Sequence, residues 1–269
     1  MGAVRTHGLE IAYERAGDGP PLVLLHGAAS NARLWEPQLE GLADEFTVVA
    51  WDEPGAGRSS DLPAEFGLRD YAACLASLIE RLELGPVNLL GLSWGGTVAQ
   101  ELYRHAPRLV RTLILADSYA GWKGSLPAEV VQARVAGARR MLAAPPEEFD
   151  PTLPGLFAGD PPPEFVPLLE QIAAAVRPAS LGRQLAIMAD ADQRDLLPRI
   201  AIPTLLLWGA EDARAPLTVA HQLEDAIPDA RLVVIPDCGH VSNLQRPEQF
   251  NQAVREFCRA AAHSTATLT

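Results

Sequence analysis

A serine held between two glycines is the residue of this chain best suited to do chemistry. Gly91, Ser93 and Gly95 form a G-x-S-x-G pattern after an apolar run, residues 86–90, which has the length and composition of a buried strand. Residues 94–105 continue as a helix. A serine on such a turn takes a strained backbone, and the flanking glycines allow neighbouring chain to approach it closely. We therefore predict that Ser93 is a nucleophile.

A serine hydroxyl needs a histidine to take its proton and a carboxylate to orient that histidine. His240 lies on a loop just beyond a strand-like run, residues 231–236. Asp212 follows another buried-strand pattern, residues 203–208, in a turn before a helix. We predict that Ser93, His240 and Asp212 act together as nucleophile, base and acid.

Attack on a carbonyl also needs backbone donors for the oxyanion that forms. The amide of Trp94 begins the helix after Ser93, where the helix dipole favours negative charge. Residues 21–25 form a further strand pattern, and the loop that follows contains Ala28. We expect the amides of Trp94 and Ala28 to form the oxyanion hole. His26, in the same loop, is expected to hold the loop by hydrogen bonds rather than to act as a base.

The chain resembles the α/β-hydrolase fold family at five landmarks that occur in the family's order: residues 26–27, 51–59, 91–96, 209–212 and 239–240. The sequence order of serine, acid and histidine is also that of the family. Among its members, the chain is similar to the small esterases and lactonases grouped with 3-oxoadipate enol-lactonase and with meta-cleavage-product hydrolases. Ser93 stands where haloalkane dehalogenases and epoxide hydrolases carry an aspartate, so the resemblance excludes those two chemistries.

The resemblance implies an α/β fold: a mostly parallel, eight-stranded α/β-hydrolase sheet with helices on both faces and a helical cap insertion. The alternation of strand and helix patterns up to residue 116 separately favours a mostly parallel sheet. Residues 122–196 contain helical stretches broken by prolines, among them Pro145 and Pro146, and are predicted to be the cap. The core then divides into residues 1–121 and 197–269.

The predicted acid has one competitor, since some hydrolases of this fold carry the acid after the strand that here ends before Asp117. Gly209 and Pro216 frame Asp212 as the family's usual acid loop does, so Asp212 is preferred. Aromatic and apolar residues near these loops are candidates to line the substrate pocket: Trp94, Tyr119, Trp122, Phe157 and Val241.

Composition sets bounds on partners and location. The chain has 269 residues and a formal net charge of -12, which argues against binding to nucleic acid or to anionic membrane surfaces. Its three cysteines show neither metal-ligand spacing nor a disulfide framework. Residues 1–16 lack the pattern of a signal peptide, so a cytoplasmic location is expected. We expect no metal, no organic cofactor, and a monomer or homodimer.

Taken together, the residues predict a serine hydrolase that cleaves a carboxylic ester or lactone of a small molecule through an acyl-enzyme. Two alternatives stay open. A carbon-carbon bond hydrolase acting on a vinylogous diketone would use the same three residues, with Arg177 and Arg183 of the predicted cap available to seat a carboxylate. A ligand-binding receptor on the same fold would turn over slowly or not at all.

Overall fold

An eight-stranded sheet runs through the centre of the protein, as predicted. The computed structural model describes residues 1–145, 148 and 153–266, with side chains up to residue 263. The order across the sheet is β1-β2-β4-β3-β5-β6-β7-β8. The strands are β1 (Gly2–Thr6), β2 (Leu9–Ala16), β3 (Pro21–Leu25), β4 (Thr47–Trp51), β5 (Val87–Leu92), β6 (Val110–Ala116), β7 (Thr204–Gly209) and β8 (Ala230–Ile235).

Strand β2 runs antiparallel to both of its neighbours, whereas the other neighbouring strands are parallel. Every residue of β4, β5 and β7 is buried. Their mostly apolar sequences suit this burial, because a parallel sheet is covered on both faces. The carboxyl ends of the parallel strands meet at one edge of the sheet, so the loops that follow them are brought together there.

Helices cover both faces of the sheet. In the described residues they are α1 (Glu36–Gly41), α2 (Leu68–Arg81), α3 (Trp94–His105), α4 (Trp122–Ser125), α5 (Ala128–Leu142), α6 (Val166–Ala174), α7 (Pro178–Asp190), α8 (Leu217–Ala226), α9 (Ser242–Gln245) and α10 (Pro247–Ala266). Alternate residues of β3 point into different cores: Val23 and Leu25 belong to the core that contains residues of α2, α3 and α8, whereas Leu22 and Leu24 belong to the core that contains residues of α10. None of these helices is both long and apolar enough to cross a membrane.

Between β6 and β7 the chain leaves the sheet and forms α4 to α7. We call residues 122–196 the inserted segment, and within it Pro146 lies outside the described residues. Helix α7 packs against α4 and α5 and also touches α3, which begins at the carboxyl edge of the sheet. The inserted segment is therefore held against the edge where the candidate loops converge.

The three cysteines do not supply reactive thiols. Cys74, Cys238 and Cys258 are each buried and unpaired. Burial raises the pKa of Cys74 to about 11 and that of Cys238 and Cys258 to about 12, so all three stay protonated at neutral pH. Within the described ranges, no three His, Cys, Asp or Glu side chains are grouped so that they hold a metal ion.

Candidate active site

A strained backbone presents Ser93 at the end of β5. Its φ of 53° and ψ of -114° lie in a region that residues other than glycine rarely adopt. The N–H of Ser93 donates to the carbonyl of Ala116 at 2.9 Å, and the N–H of Gly96 donates to the carbonyl of Ser93 at 3.0 Å. The Ser118 hydroxyl also donates to that carbonyl, at 2.8 Å. Three hydrogen bonds therefore fix the turn between β5 and α3.

The glycines on either side of Ser93 are required because the chain is crowded there. A Cβ on Gly95 would overlap the backbone of Leu25 at the end of β3. A Cβ on Gly91 would overlap the backbone of Gly95 and Gly96. This close approach is the one that the sequence pattern predicts, and it presses α3 against the end of β3.

We expect Gly95→Ala to destabilise the fold by about 1–3 kcal/mol or more, because the added methyl group meets a main-chain carbonyl that cannot rotate away. Gly137 in α5 is a matched helical control, since the atom nearest to an added Cβ is the end of the Arg140 side chain at 3.9 Å. Gly137→Ala should stabilise the protein by about 0.5–1 kcal/mol. Urea denaturation midpoints should move in opposite directions, and an unchanged midpoint for Gly95→Ala would contradict the packing.

His240 joins Ser93 and Asp212 in one chain of hydrogen bonds. Its Nε2 lies 2.9 Å from Oγ of Ser93, and its Nδ1 lies 2.8 Å from Oδ2 of Asp212. Oδ1 of Asp212 accepts the backbone N–H groups of Arg214 at 2.7 Å and Ala215 at 2.8 Å. Because the carboxylate accepts, Nδ1 carries the proton and Nε2 is left to accept the serine proton. All three side chains are buried, so the arrangement places a base next to a hydroxyl away from bulk water.

Asp117 lies near these residues, but its carboxyl group is engaged elsewhere. One oxygen accepts the N–H of Gly209 at 2.8 Å and the other accepts the hydroxyl of Ser242. Burial, together with the neighbouring charge of Asp212, raises the pKa of Asp117 well above its ordinary value. Asp117 therefore links the end of β6, the end of β7 and the start of α9.

The pH dependence of activity should follow from the environment of His240. Burial lowers its pKa below the ordinary value of 6.5, Arg214 and Arg134 act in the same direction, and Asp212 opposes them. A base must be unprotonated to take the proton of Ser93, so kcat/KM for an uncharged substrate should rise with pH through this pKa. We expect the acid limb of that profile to be centred below 6.5. A limb centred well above that value would contradict the assignment.

The loop after β3 passes beside Ser93. A Cβ on Gly27 would lie 3.7 Å from Cβ of Ser93, and Ala28 and Ser93 line the same cavity. His26 holds this loop as predicted, since its Nδ1 donates to the carbonyl of Gly27 at 2.8 Å and its Nε2 accepts the N–H of Glu53 at 3.3 Å. Burial lowers the pKa of His26, which keeps the ring neutral. The loop and the first turn of α3 thus flank the serine from two sides.

A cavity of about 430 Å³ lies between the strand ends and the inserted segment, with Ser93 and His240 in its wall. Three of the predicted lining residues, Trp122, Phe157 and Val241, line it. Most of the other lining side chains are apolar and come from the inserted segment, among them Leu156, Val166, Leu169, Ile172, Leu185 and Met188. Such a cavity favours a small molecule with a largely apolar body.

Trp94 and Tyr119, which we expected among the lining residues, lie outside the cavity wall. The Trp94 ring is fully buried beneath the turn, where it makes a T-shaped contact with the Tyr71 ring, with ring centroids 5.2 Å apart. Tyr119 is buried behind His240, with ring centroids 6.2 Å apart, and its hydroxyl accepts from Arg134 at 3.2 Å. Both rings support the site from behind instead of contacting what the cavity holds.

Glu53 is a buried carboxyl group that the sequence reasoning did not single out. Trp94 donates its ring N–H to Glu53 at 2.7 Å, and the side-chain amide of Gln184 donates to the other oxygen. Gln184 in turn accepts the N–H of Ala29 at 3.4 Å. Burial raises the pKa of Glu53 to about 8. Glu53 therefore links α3, the loop after β3 and α7, and its place beside Asp52 at the end of a buried strand was the available signal.

The two arginines proposed to seat a substrate carboxylate are engaged away from the cavity. Arg177 donates to the carbonyl oxygens of Gly57 at 2.7 Å and Ser59 at 3.0 Å. Arg183 donates to the carbonyl of Ala64. Neither residue lines the cavity, because both bind the loop that follows β4. The carbon-carbon hydrolase alternative thereby loses the carboxylate-binding groups that the sequence suggested for it.

Several known proteins similar to this chain are esterases or other hydrolases. The model of the Alpha/beta hydrolase family matches residues 22–253. Among curated proteins, the pimeloyl-[acyl-carrier protein] methyl ester esterase of Vibrio campbellii is 32% identical over 259 residues. That alignment covers 91% of this chain and 97% of the esterase.

Solved structures similar to this chain also include an esterase and a lactonase. A thermophilic esterase from Thermogutta terrifontis, solved with malate bound, has a TM-score of 0.83 and 32% identity, with 96% of this chain and 97% of that chain covered. The enol-lactonase from Burkholderia xenovorans LB400 has a TM-score of 0.81 and 25% identity, with 96% and 100% covered. Because the family model spans most of the sequence and the fold agrees, this chain belongs to the alpha/beta hydrolase family and is a hydrolase.

Proposed function

We propose that the protein is a serine hydrolase that cleaves a carboxylic ester or lactone of a small, largely apolar molecule. The observation that carries this proposal is the hydrogen-bonded series Asp212, His240 and Ser93 in the wall of an apolar cavity. The relatives named esterase and enol-lactonase support the same bond type. In this proposal the inserted segment is a cap that shapes the substrate cavity.

The first half of the reaction forms an acyl-enzyme. Oγ of Ser93 attacks the carbonyl carbon while Nε2 of His240 takes the hydroxyl proton. The negative charge that develops on the carbonyl oxygen is stabilised by the amides of Ala28 and Trp94, the second of which begins α3. Collapse of the tetrahedral intermediate breaks the bond to the alcohol oxygen, and protonated His240 returns the proton to that oxygen. In a lactone the released hydroxyl remains part of the acyl group.

The second half reverses the roles with water. His240 takes a proton from water, the resulting hydroxide attacks the acyl carbon, and the same two amides stabilise the second oxyanion. Collapse breaks the bond between the acyl carbon and Oγ of Ser93, protonated His240 returns its proton to Oγ, and the carboxylic acid product is released. Asp212 stabilises the positive charge of His240 in both halves and keeps its Nδ1 protonated.

A substrate panel with a covalent probe tests the proposal. Initial rates are measured on short and long acyl esters, small lactones including an enol-lactone, and a vinylogous diketone, before and after treatment with a fluorophosphonate. We expect turnover of esters or lactones, loss of that turnover after treatment, and a mass increase confined to the peptide that contains Ser93. Turnover of the diketone alone would replace the proposal with carbon-carbon hydrolysis. No turnover of any compound would favour the receptor.

A further inference from the structure

The described part of the cavity wall contains one arginine, Arg214, which lies two residues after Asp212 in the loop that follows β7. Among the described lining residues the other acidic or basic side chains are Glu170, on the exposed side of α6, and His240 of the proposed catalytic site. Burial lowers the pKa of His240, so its ring is neutral in the resting enzyme. Arg214 thus carries the positive charge that an occupant of the cavity meets, in a wall that is otherwise mostly apolar.

The guanidinium group of Arg214 has unused hydrogen-bond donors. Its Nη1 donates to the carbonyl of Pro154 at 3.1 Å. Its Nε is buried and has no acceptor, and its Nη2 donates to no residue in the part of the chain that the structure describes. A guanidinium offers five N–H donors in a planar fork and binds a carboxylate through two of them. Arg214 therefore has donors left for a planar anion.

A second arginine, Arg134, adds positive charge beside Arg214. Arg134 donates to the backbone carbonyl of Arg214 at 2.5 Å and lies over the Trp122 ring at 5.1 Å from its centroid. The charge of Asp212 acts on Arg214, but its carboxylate is already bonded to His240. Burial and the charge of Asp212 raise the pKa of Asp117, the other nearby acid, and so oppose a negative charge there. Both guanidinium groups belong to partly buried residues. A partly desolvated cation without an anion is costly, so an anion in the cavity would be favoured.

We propose that Arg214 binds a carboxylate of the substrate, so that the preferred substrates are esters or lactones whose apolar acyl chain ends in a carboxylate. This inference rests on the proposed function and narrows its substrate class. The apolar lining contacts the chain, Arg214 binds its far end, and Ser93 attacks the ester carbon. Arg214 is thus a specificity-determining residue and takes no part in bond breaking.

Two matched series of p-nitrophenyl esters test the inference. One contains the half-esters of adipic, pimelic and suberic acid, and the other contains the same chains ending in a neutral carboxamide of nearly equal shape. Shorter diacids are left out because their own carboxylate attacks the aryl ester. The measured quantity is the ratio of kcat/KM between the carboxylate and carboxamide chains of equal length, since it cancels general effects of a substitution on folding or on catalysis.

For the wild type we expect a ratio of about 10 to 100 for at least one chain length, the usual range for a hydrogen-bonded ion pair. Arg214→Met should bring the ratio near one, chiefly through a higher KM for the carboxylate chains, and Arg214→Lys should retain part of the preference. Arg177→Met is the matched control, because it removes an arginine of the inserted segment that binds outside the cavity. Its ratio should equal that of the wild type.

Each contrary outcome has a distinct meaning. If the wild type hydrolyses the carboxamide series by a Ser93-dependent route but shows no preference for the carboxylate, the inference is wrong and the proposed function stands. The inference is also wrong if Arg214→Met keeps the preference. If the wild type hydrolyses neither series, nor any other ester or lactone, the proposed function is wrong and the inference falls with it.

Discussion

Replacing Ser93 with alanine should lower kcat for ester hydrolysis by about 10⁶-fold. The side-chain oxygen that His240 activates at 2.9 Å would be gone, and no acyl-enzyme would form. The rate that remains should come from the backbone donors and from binding, which act on water-mediated hydrolysis as well. The steady-state rate should fall by that factor, and the pre-steady-state burst of p-nitrophenolate should disappear.

Ser30 supplies the control for this experiment. It lines the same cavity, but its hydroxyl has no hydrogen-bond partner among the described residues and so no base to activate it. Ser30→Ala should keep the burst and stay within about tenfold of the wild-type rate. If Ser30→Ala abolished the burst and Ser93→Ala kept it, the nucleophile would be Ser30 and the assignment of Ser93 would be wrong. Equal melting temperatures of both variants and the wild type would show that the difference is catalytic.

The arrangement of Ser93, Asp212 and His240 could be predicted from sequence because each of its parts is local. The strand at residues 21–25 and the helix at residues 94–105 have the predicted bounds, since a short apolar run and a proline beyond the helix mark them. Ser93, Asp212 and His240 each follow a strand. Parallel strands carry such loops to one edge, so the spatial meeting follows from the topology.

The surroundings of the site could not be predicted, because they depend on how distant elements pack. Glu53 meets Trp94 and Gln184 across separations of 41 and 131 residues, and no local pattern specifies either contact. Residue type indicated that Trp94 and Tyr119 are large and apolar, but not which of their neighbours they face. Arg177 was a candidate to seat a carboxylate only in the carbon-carbon hydrolase alternative. It donates instead to carbonyl oxygens of the loop after β4, a contact that the sequence does not reveal.

The second large effect on kcat is expected at Asp212, one of the two buried acids near His240. We expect Asp212→Asn to lower kcat by about 10⁴-fold while leaving the fold intact. An asparagine presents an amide where Asp212 accepts the Nδ1 proton of His240 at 2.8 Å, which favours the wrong tautomer. It also removes the charge that stabilises the protonated histidine. The loss should appear in kcat, measured on the best ester of the panel, with KM little changed.

Asp117→Asn is the matched control, since it makes the same chemical change at a neighbouring buried acid. Burial raises the pKa of Asp117, which favours its uncharged form, and an amide of the same shape replaces that form closely. The amide oxygen can still accept the N–H of Gly209 or the hydroxyl of Ser242, the two donors that hold Asp117. We therefore expect its kcat to stay within about tenfold of the wild type.

Asp212→Asn and Asp117→Asn together distinguish an acid that follows β7 from an acid that follows β6. A large loss at Asp212 with a small loss at Asp117 places the acid after β7. The reverse pattern would mean that His240 turns toward β6 during catalysis and that the resting hydrogen bond to Asp212 is not the productive one. Comparable large losses at both sites would mean that the two acids act as one coupled group, because a charge on either changes the protonation of the other.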